Sequence, residues 1–179
     1  KKKYLSKGLE EIISQIDTYM EKGEIIKDEE GHKIIRINLK EDIFVIKKYQ
    51  IKGSWHYLRK LFSQTRAFVA WKASHWLNAS GIRTVNIVAV IERYNFLSTT
   101  ESYLISLNQP EERLDEVDLN KQQGYLIENR LSSFFKRLEW IGFYHGDAKS
   151  ANFFFGNNNL IVSDLDVSKR RYFQFIQKN

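Results

Sequence analysis

Asp147, Lys149, Asn152 and Asp164 carry between them the side chains that a phosphoryl transfer needs. An acid must accept the proton of an attacking alcohol, a cation must lie against the moving phosphate, and oxygen donors must hold magnesium between the phosphates of ATP. Asp147 suits the base, Lys149 the cation, and Asn152 with Asp164 the metal ligands. All four fall in one stretch, Tyr144 to Asp166, which reads YHGDAKSANFFFGNNNLIVSDLD. Its two short apolar runs, Phe153 to Phe155 and Leu160 to Val162, flank the polar tip Asn157 to Asn159. That pattern predicts a small hairpin that returns Asp164 to the side of Asn152.

The loop HGDAKSAN resembles the HRDxxxxN catalytic loop of protein-kinase-like enzymes, and DLD (Asp164 to Asp166) stands where they carry DFG. Glycine at the second position and DLD in place of DFG look more like the lipopolysaccharide core kinases, the Kdo kinase and WaaP family, small relatives of the protein kinases that phosphorylate a sugar hydroxyl. The resemblance implies a two-lobe α+β fold: a small lobe over residues 1–107 with an antiparallel sheet and one long helix, and an abbreviated, mainly helical large lobe over 108–179. It implies ATP and Mg2+ as cofactors, and Kdo or heptose of the inner core as acceptor. By the same resemblance His145 braces the catalytic loop. Asp166 either supports the metal from behind its ligands or caps a turn.

Composition narrows the alternatives. The chain has no cysteine, which excludes disulfides and thiolate metal sites, and its four histidines are not spaced as a zinc cluster. A net charge of +6 and an isoelectric point near 9.4 favour an anionic partner: phosphates, a nucleic acid or an acidic membrane surface. No apolar run is long enough to span a bilayer, and the KKKYLSKG start lacks the apolar segment of a secretory signal. The expected location is the cytoplasm, with peripheral contact to the membrane.

The elements that must position the site follow in order. Leu9, Ile12, Ile13, Ile16 and Met20 recur at helical spacing, predicting a helix over 8–21 that Gly23 ends. Two β-rich runs, Glu24 to Lys27 and Lys33 to Asn38, surround the turn Asp28-Glu29-Glu30-Gly31 and read as a hairpin. A kinase covers the ATP phosphates with glycines here, but this turn offers one glycine and three acids that repel triphosphate. Ile43 to Tyr49 is the next strand; it resembles the VAIK strand, whose lysine grips the inner phosphates. Alternation puts Lys47 and Lys48 on opposite faces, and Lys47 is the better candidate.

A long helix is expected from Ser54 to Asn78, with Leu58, Phe62, Val69, Ala73 and Trp76 as its apolar stripe. Protein kinases place on this helix the glutamate that pairs with the strand lysine. Between Asp42 and Glu92, however, the chain has no acid, while Lys47, Lys48, Lys52, Arg59, Lys60, Arg66, Lys72 and Arg83 are basic. Another acid serves Lys47, or phosphate alone holds it, or catalysis is impaired. The basic block suits lipid-linked sugar phosphates or an anionic membrane. Nucleic-acid binding through Trp55, Tyr57, Trp71 and Trp76 is disfavoured, because tryptophans at helical spacing beside Leu and Phe read as core. The Trp-containing segment running into GIRT also resembles InaA-like lipopolysaccharide kinases.

Val85 to Arg93 and Glu101 to Leu107 complete a five-strand small lobe, with Ser106 to Asn108 as the expected hinge against adenine. Pro110 to Asn120 is acidic and predicts a short helix. Tyr125, Leu126, Leu131, Phe134, Phe135, Leu138 and Ile141 mark a helix, ended by Gly142, that leads into the catalytic loop 145–152. The sequence therefore presents a sugar kinase. The alternatives are a pseudokinase or binding module that keeps the fold, and a kinase acting on another small molecule or a protein.

Overall fold

The computed structural model describes residues 7–50, 64–95, 98–118, 121–157 and 159–171. Helices α1 (Lys7–Ser14) and α2 (Ile16–Lys22) lead into the strands β1 (Glu24–Glu29), β2 (His32–Leu39) and β3 (Asp42–Gln50). Helix α3 (Arg66–Ala79) precedes β4 (Ile87–Asn95) and β5 (Ser98–Leu107). Then come β6 (Glu112–Arg113), α4 (Lys121–Trp140), β7 (Phe143–Tyr144), a 3-10 turn (Ser150–Asn152), β8 (Phe153–Gly156), β9 (Asn159–Val162) and β10 (Lys169–Arg170). The first five strands form one antiparallel sheet in the order β1-β2-β3-β5-β4. The fold is the expected kinase-like α+β arrangement.

Strand alternation decides what each sheet face meets. Phe44 and Ile46 of β3 point to one side and join Ile35, Ile37, Tyr103 and Ile105 under α1 and α2. Leu9, Ile12, Ile16 and Met20 cover this face, each contributing about 1.5–3 kcal/mol by burial. Ile13, read as part of that stripe, is 39% exposed. The expected single helix breaks at Gln15 (φ −124°, ψ 34°) into α1 and α2.

The opposite face carries Val45, Lys47 and Tyr49. Tyr49 and Leu104 enter a second core with Ala67, Ala70, Ala73 and Leu77 of α3, Phe134 and Leu138 of α4, and Phe153, Val162 and Leu165. One continuous core thus ties the sheet to the segment bearing the catalytic loop. The helix face toward the sheet is mostly alanine, which allows close approach, and Val69 and Trp76 of the expected stripe are only partly buried.

Three expectations on the elements need revision. The helix expected from Ser54 begins among the described residues at Arg66, because Thr65 is extended (φ −67°, ψ 156°) and its hydroxyl accepts the Phe68 N–H. Leu58, Phe62, Trp55 and Tyr57 lie outside the described residues. The acidic stretch after Pro110 forms no helix over residues 110–118; its backbone instead supplies β6, the edge of a three-stranded sheet with β8 and β9. On α4 the face shifts: Ile127 is buried, while Tyr125 is 69% exposed. No helix among the described residues is long and apolar enough to cross a membrane.

Candidate active site

The candidate catalytic loop, 145–152, is held by its own polar side chains. Strand β7 delivers the chain to His145, and Gly146 adopts φ +89°, where a Cβ would lie 2.6 Å from the Val167 carbonyl oxygen. Only glycine fits there, which accounts for this position of the motif. Asn152 is buried, and its Nδ2 donates to the Asp147 backbone oxygen (2.7 Å) and to Asp147 Oδ2 (3.1 Å). Its backbone oxygen accepts both the Ser163 N–H (2.9 Å) and the Ser163 hydroxyl (3.1 Å). The asparagine therefore joins Asp147 to the residue before Asp164.

His145 makes the same connection from behind. The Asp147 N–H donates to Nδ1 at 3.3 Å, so Nε2 carries the proton and donates to the Ser163 oxygen at 3.0 Å. Burial pushes the imidazole pKa down, outweighing the Ser163 oxygen, which raises it. The ring is a neutral brace.

Asp164 comes back as the expected hairpin requires. Strands β8 and β9 pair from Phe153↔Val162 to Gly156↔Asn159, and Asn157 takes the left-handed turn at φ 50°. Val162 is stitched to the entry of β4 through Val162 N–H to Arg83 O and Val85 N–H to Val162 O. Asp164 itself adopts φ 57°, which aspartate tolerates better than most residues. Its Oδ1 lies 2.8 Å from Lys47 Nζ. Burial pushes the Asp164 carboxyl up, but the Lys47 charge and hydrogen bond win and hold it below its ordinary value. Lys48 points to the other face and pairs with Glu101 at 2.7 Å. The acid that serves Lys47 is thus Asp164, not a helix glutamate.

Lys149 Nζ stands 3.0 Å from Asp147 Oδ2. That hydrogen bond holds the Asp147 carboxyl below its ordinary value and raises the Lys149 pKa in turn. At neutral pH Asp147 is a carboxylate, able to accept a hydroxyl proton. Asp166 is turned away into the protein and pairs with Arg66 at 2.7 Å.

Three neighbours escaped the sequence reading. His32 of β2 stacks on Tyr49 of β3 (centroids 5.0 Å apart, planes at 7°), and Arg66 lies over the other aromatic, 5.1 Å from the Tyr49 centroid. Burial first, then the Lys47 and Arg66 charges, push the His32 pKa down. Arg66 was legible only as one of the basic residues between Asp42 and Glu92, not as a neighbour of the site.

Between the sheet and these loops lies a cleft of about 680 Å³. Ile34, Val45, Val85, Leu104 and Leu165 contribute apolar surface to it, Lys47, Asp164, Asn152 and Lys149 line it together, and Glu111, Glu112 and Arg113 add further charge. At the expected hinge the Leu107 and Asn108 amides are already bonded to Asn86 O and Ile43 O, so neither is open to a ligand. The β1–β2 turn is as acidic as its sequence, with Lys27 beside Glu29 at 3.0 Å and Lys33 beside Asp28 at 3.9 Å.

No cluster of three His, Cys, Asp or Glu side chains occurs among the described residues. Magnesium does not need one. It binds through one or two protein oxygens, water and substrate phosphates. The free Asp164 oxygen and the Asn152 amide oxygen, whose nitrogen is spent on Asp147, are two hard donors of that kind.

The overall arrangement is similar to a solved structure of WaaP in complex with acyl carrier protein, with a TM-score of 0.62 and 17% sequence identity. The likeness covers 84% of this chain and 63% of that one, so the chain spans under two thirds of its length. No family model and no curated protein sequence matches. The fold is kinase-like.

Proposed function

We propose that this protein is an ATP- and Mg2+-dependent phosphotransferase that phosphorylates a sugar hydroxyl, with Kdo or heptose of the lipopolysaccharide inner core as acceptor. The observation that carries the proposal is the convergence of Lys47 on Asp164 at 2.8 Å, beside Asn152 bonded to Asp147. Residues from β3, the proposed catalytic loop and the turn after β9 line one cleft. A structural role alone does not call for that gathering of opposite charge and amide.

In this reading Asp147 orients the acceptor hydroxyl and takes its proton as the new O–P bond forms and the bond to the departing ADP oxygen breaks. Lys149 exchanges its contact with Asp147 for the moving phosphoryl group, and Lys47 holds the inner phosphates. Asp164 and Asn152 would hold Mg2+, which when bound neutralises charge on the phosphate oxygens. His145 keeps Asp147 and Ser163 in register. Residues 1–107 serve as the nucleotide-covering lobe and 108–179 as the acceptor lobe. The sugar acceptor rests on the HGDAKSAN and DLD motifs and on the likeness to a WaaP structure. The basic residues between Asp42 and Glu92 support a cytoplasmic location against an anionic membrane face.

A pseudokinase reading is favoured by two features: the acidic β1–β2 turn with its single glycine, and the lack of any acid between Asp42 and Glu92 that could serve Lys47 from the helix. The deciding measurement is Mg2+-dependent transfer of labelled γ-phosphate from ATP to a deacylated lipopolysaccharide core fraction, comparing the native chain with Asp147→Ala. Label that appears in the sugar and vanishes with the variant supports the enzyme. Mg-ATP binding without transfer to core sugars favours the pseudokinase or another acceptor. Absence of binding overturns the nucleotide site.

A further inference from the structure

Arg66 sits where local electrostatics disfavour it. It is the first residue of α3, whose positive dipole end prefers anions, and the first turn holds no acid. The compensating charge comes from Asp166, whose side chain is only 3% exposed and whose Oδ2 lies in ionic contact with Arg66 Nη2 at 2.7 Å, without the angles of a hydrogen bond. A carboxylate buried to that degree needs a cation, because removing one partner strands the other's charge.

The consequence lies in the short loop that Asp166 ends. Asp164 is drawn to Lys47 of β3, Asp166 to Arg66 of α3, and Leu165 between them is 1% exposed in the core. The loop is thus pinned at three successive residues to three different parts of the fold. The helix start is itself fixed, since the Thr65 hydroxyl caps Phe68 N–H at 3.1 Å and donates to Glu92 of β4 at 2.5 Å. Arg66 also rests on the ring of Tyr49, two residues beyond Lys47 on the same strand face.

We infer that Arg66 and Asp166 form a latch between helix and loop, in which Arg66 is a positioning residue that holds the Asp164 carboxylate in place for a divalent cation and nucleotide. With no acid between Asp42 and Glu92, the helix cannot reach the strand lysine with a carboxylate. It reaches the metal-binding loop with a guanidinium instead. The polarity of the helix-to-site link is reversed. In its use of Mg-nucleotide the inference rests on the proposed phosphotransferase.

The test is a double-mutant cycle with Arg66→Gln, Asp166→Asn and both together, with Arg66→Lys as the conservative variant. Two readouts are taken: affinity for a non-hydrolysable ATP analogue with and without Mg2+, and amide hydrogen exchange across residues 163–168. Each single substitution is expected to weaken Mg2+-dependent affinity by about tenfold, as residues behind metal ligands do, while Mg2+-free binding stays unchanged. The double variant is expected to be no worse than either single one, and Arg66→Lys to recover part of the loss. Additive losses, or equal losses with and without Mg2+, overturn the latch. Should the native chain bind no Mg-nucleotide, the proposed function fails, and the latch is judged by exchange alone. Faster exchange across 163–168 in both singles, with no further gain in the double, then supports it, and unchanged exchange overturns it. If Arg66→Gln does not fold, Asp166→Asn and Arg66→Lys carry the same readouts, and native behaviour in Asp166→Asn overturns it.

Discussion

The Lys47 ammonium and the Asp164 carboxylate meet at 2.8 Å although 117 residues separate them in the sequence. The strand and the end of the β8–β9 hairpin are thereby locked face to face across the cleft. Lys48, its neighbour, is equally basic but belongs to the opposite face with Glu101. Substituting the two lysines one at a time therefore separates the two faces of the sheet. Lys47→Met is expected to lower kcat/KM for ATP by roughly 100-fold, the scale of losing one positioned charge against the phosphates. Lys48→Met is expected to change it by no more than about twofold, since its ion pair with Glu101 lies on the sheet face turned away from Asp164. Equal losses in steady-state assays of the two variants would place the nucleotide elsewhere.

Two glycines give opposite expectations for the same substitution. Gly146→Ala must place its Cβ against the Val167 carbonyl while holding φ +89°, so it is expected to destabilise the fold by about 1–3 kcal/mol and to displace Asp147. Gly124 lies in α4 with nothing within 4 Å of a built Cβ. There alanine is expected to stabilise by about 0.5–1 kcal/mol through helix propensity. Urea midpoints of the two variants check both signs; a destabilised Gly124→Ala would mean that α4 does not continue through that position.

Local signals carried the site further than they carried its surroundings. The β8–β9 hairpin, the sheet strands and the opposite faces of Lys47 and Lys48 were all legible, because each rests on residues close in sequence or on strand alternation. Asp164 as the partner of Lys47 was not legible, since nothing local at Lys47 points to a residue 117 positions away. The same holds for His32, which reaches the site only because β2 pairs it with Tyr49 of β3. The acidic stretch after Pro110 misled for another reason. Its Glu, Arg and Leu are good helix formers, but pairing of Glu112 and Arg113 with Phe155 and Phe154 outweighs that propensity. At the start of α3 the apolar spacing ran on past a capping threonine that the periodicity alone does not weigh.

His145 makes the fold sensitive to mild acid. Its folded-state pKa lies below the ordinary 6.5, chiefly through burial, so the unfolded chain takes up the proton first as pH falls. The stability it contributes is complete above about pH 6.5 and is lost as pH drops from there through the folded value, at no more than about 1.4 kcal/mol per pH unit. His145→Gln is expected to be less stable than the native chain at about pH 7.5 and to show a shallower decline toward about pH 5.5. His32, also held low, leaves part of the slope in place. Parallel declines in native chain and variant, read from urea titrations at each pH, would remove His145 as the sensor.

In the proposed reaction the ion pair of Asp147 and Lys149 must break. Their contact of 3.0 Å is half exposed, so solvent and a phosphate compete with it readily. The hydrogen bond from Lys149 is the first reason that the Asp147 carboxyl lies below its ordinary 3.8. Removing the cation with Lys149→Met must therefore move the Asp147 pKa upward, which carboxyl-carbon NMR titration reads directly. Asp147→Asn is expected to cut kcat by ~100-fold or more while leaving nucleotide affinity in place, because it removes proton acceptance and not phosphate binding. Lys149→Met should lower both kcat and nucleotide affinity, since the cation serves the phosphate once it has left Asp147. An Asp147 pKa that stays put or falls in Lys149→Met would mean the pair does not persist in solution, and the carboxylate would have to owe its low pKa to Asn152, which also donates to it.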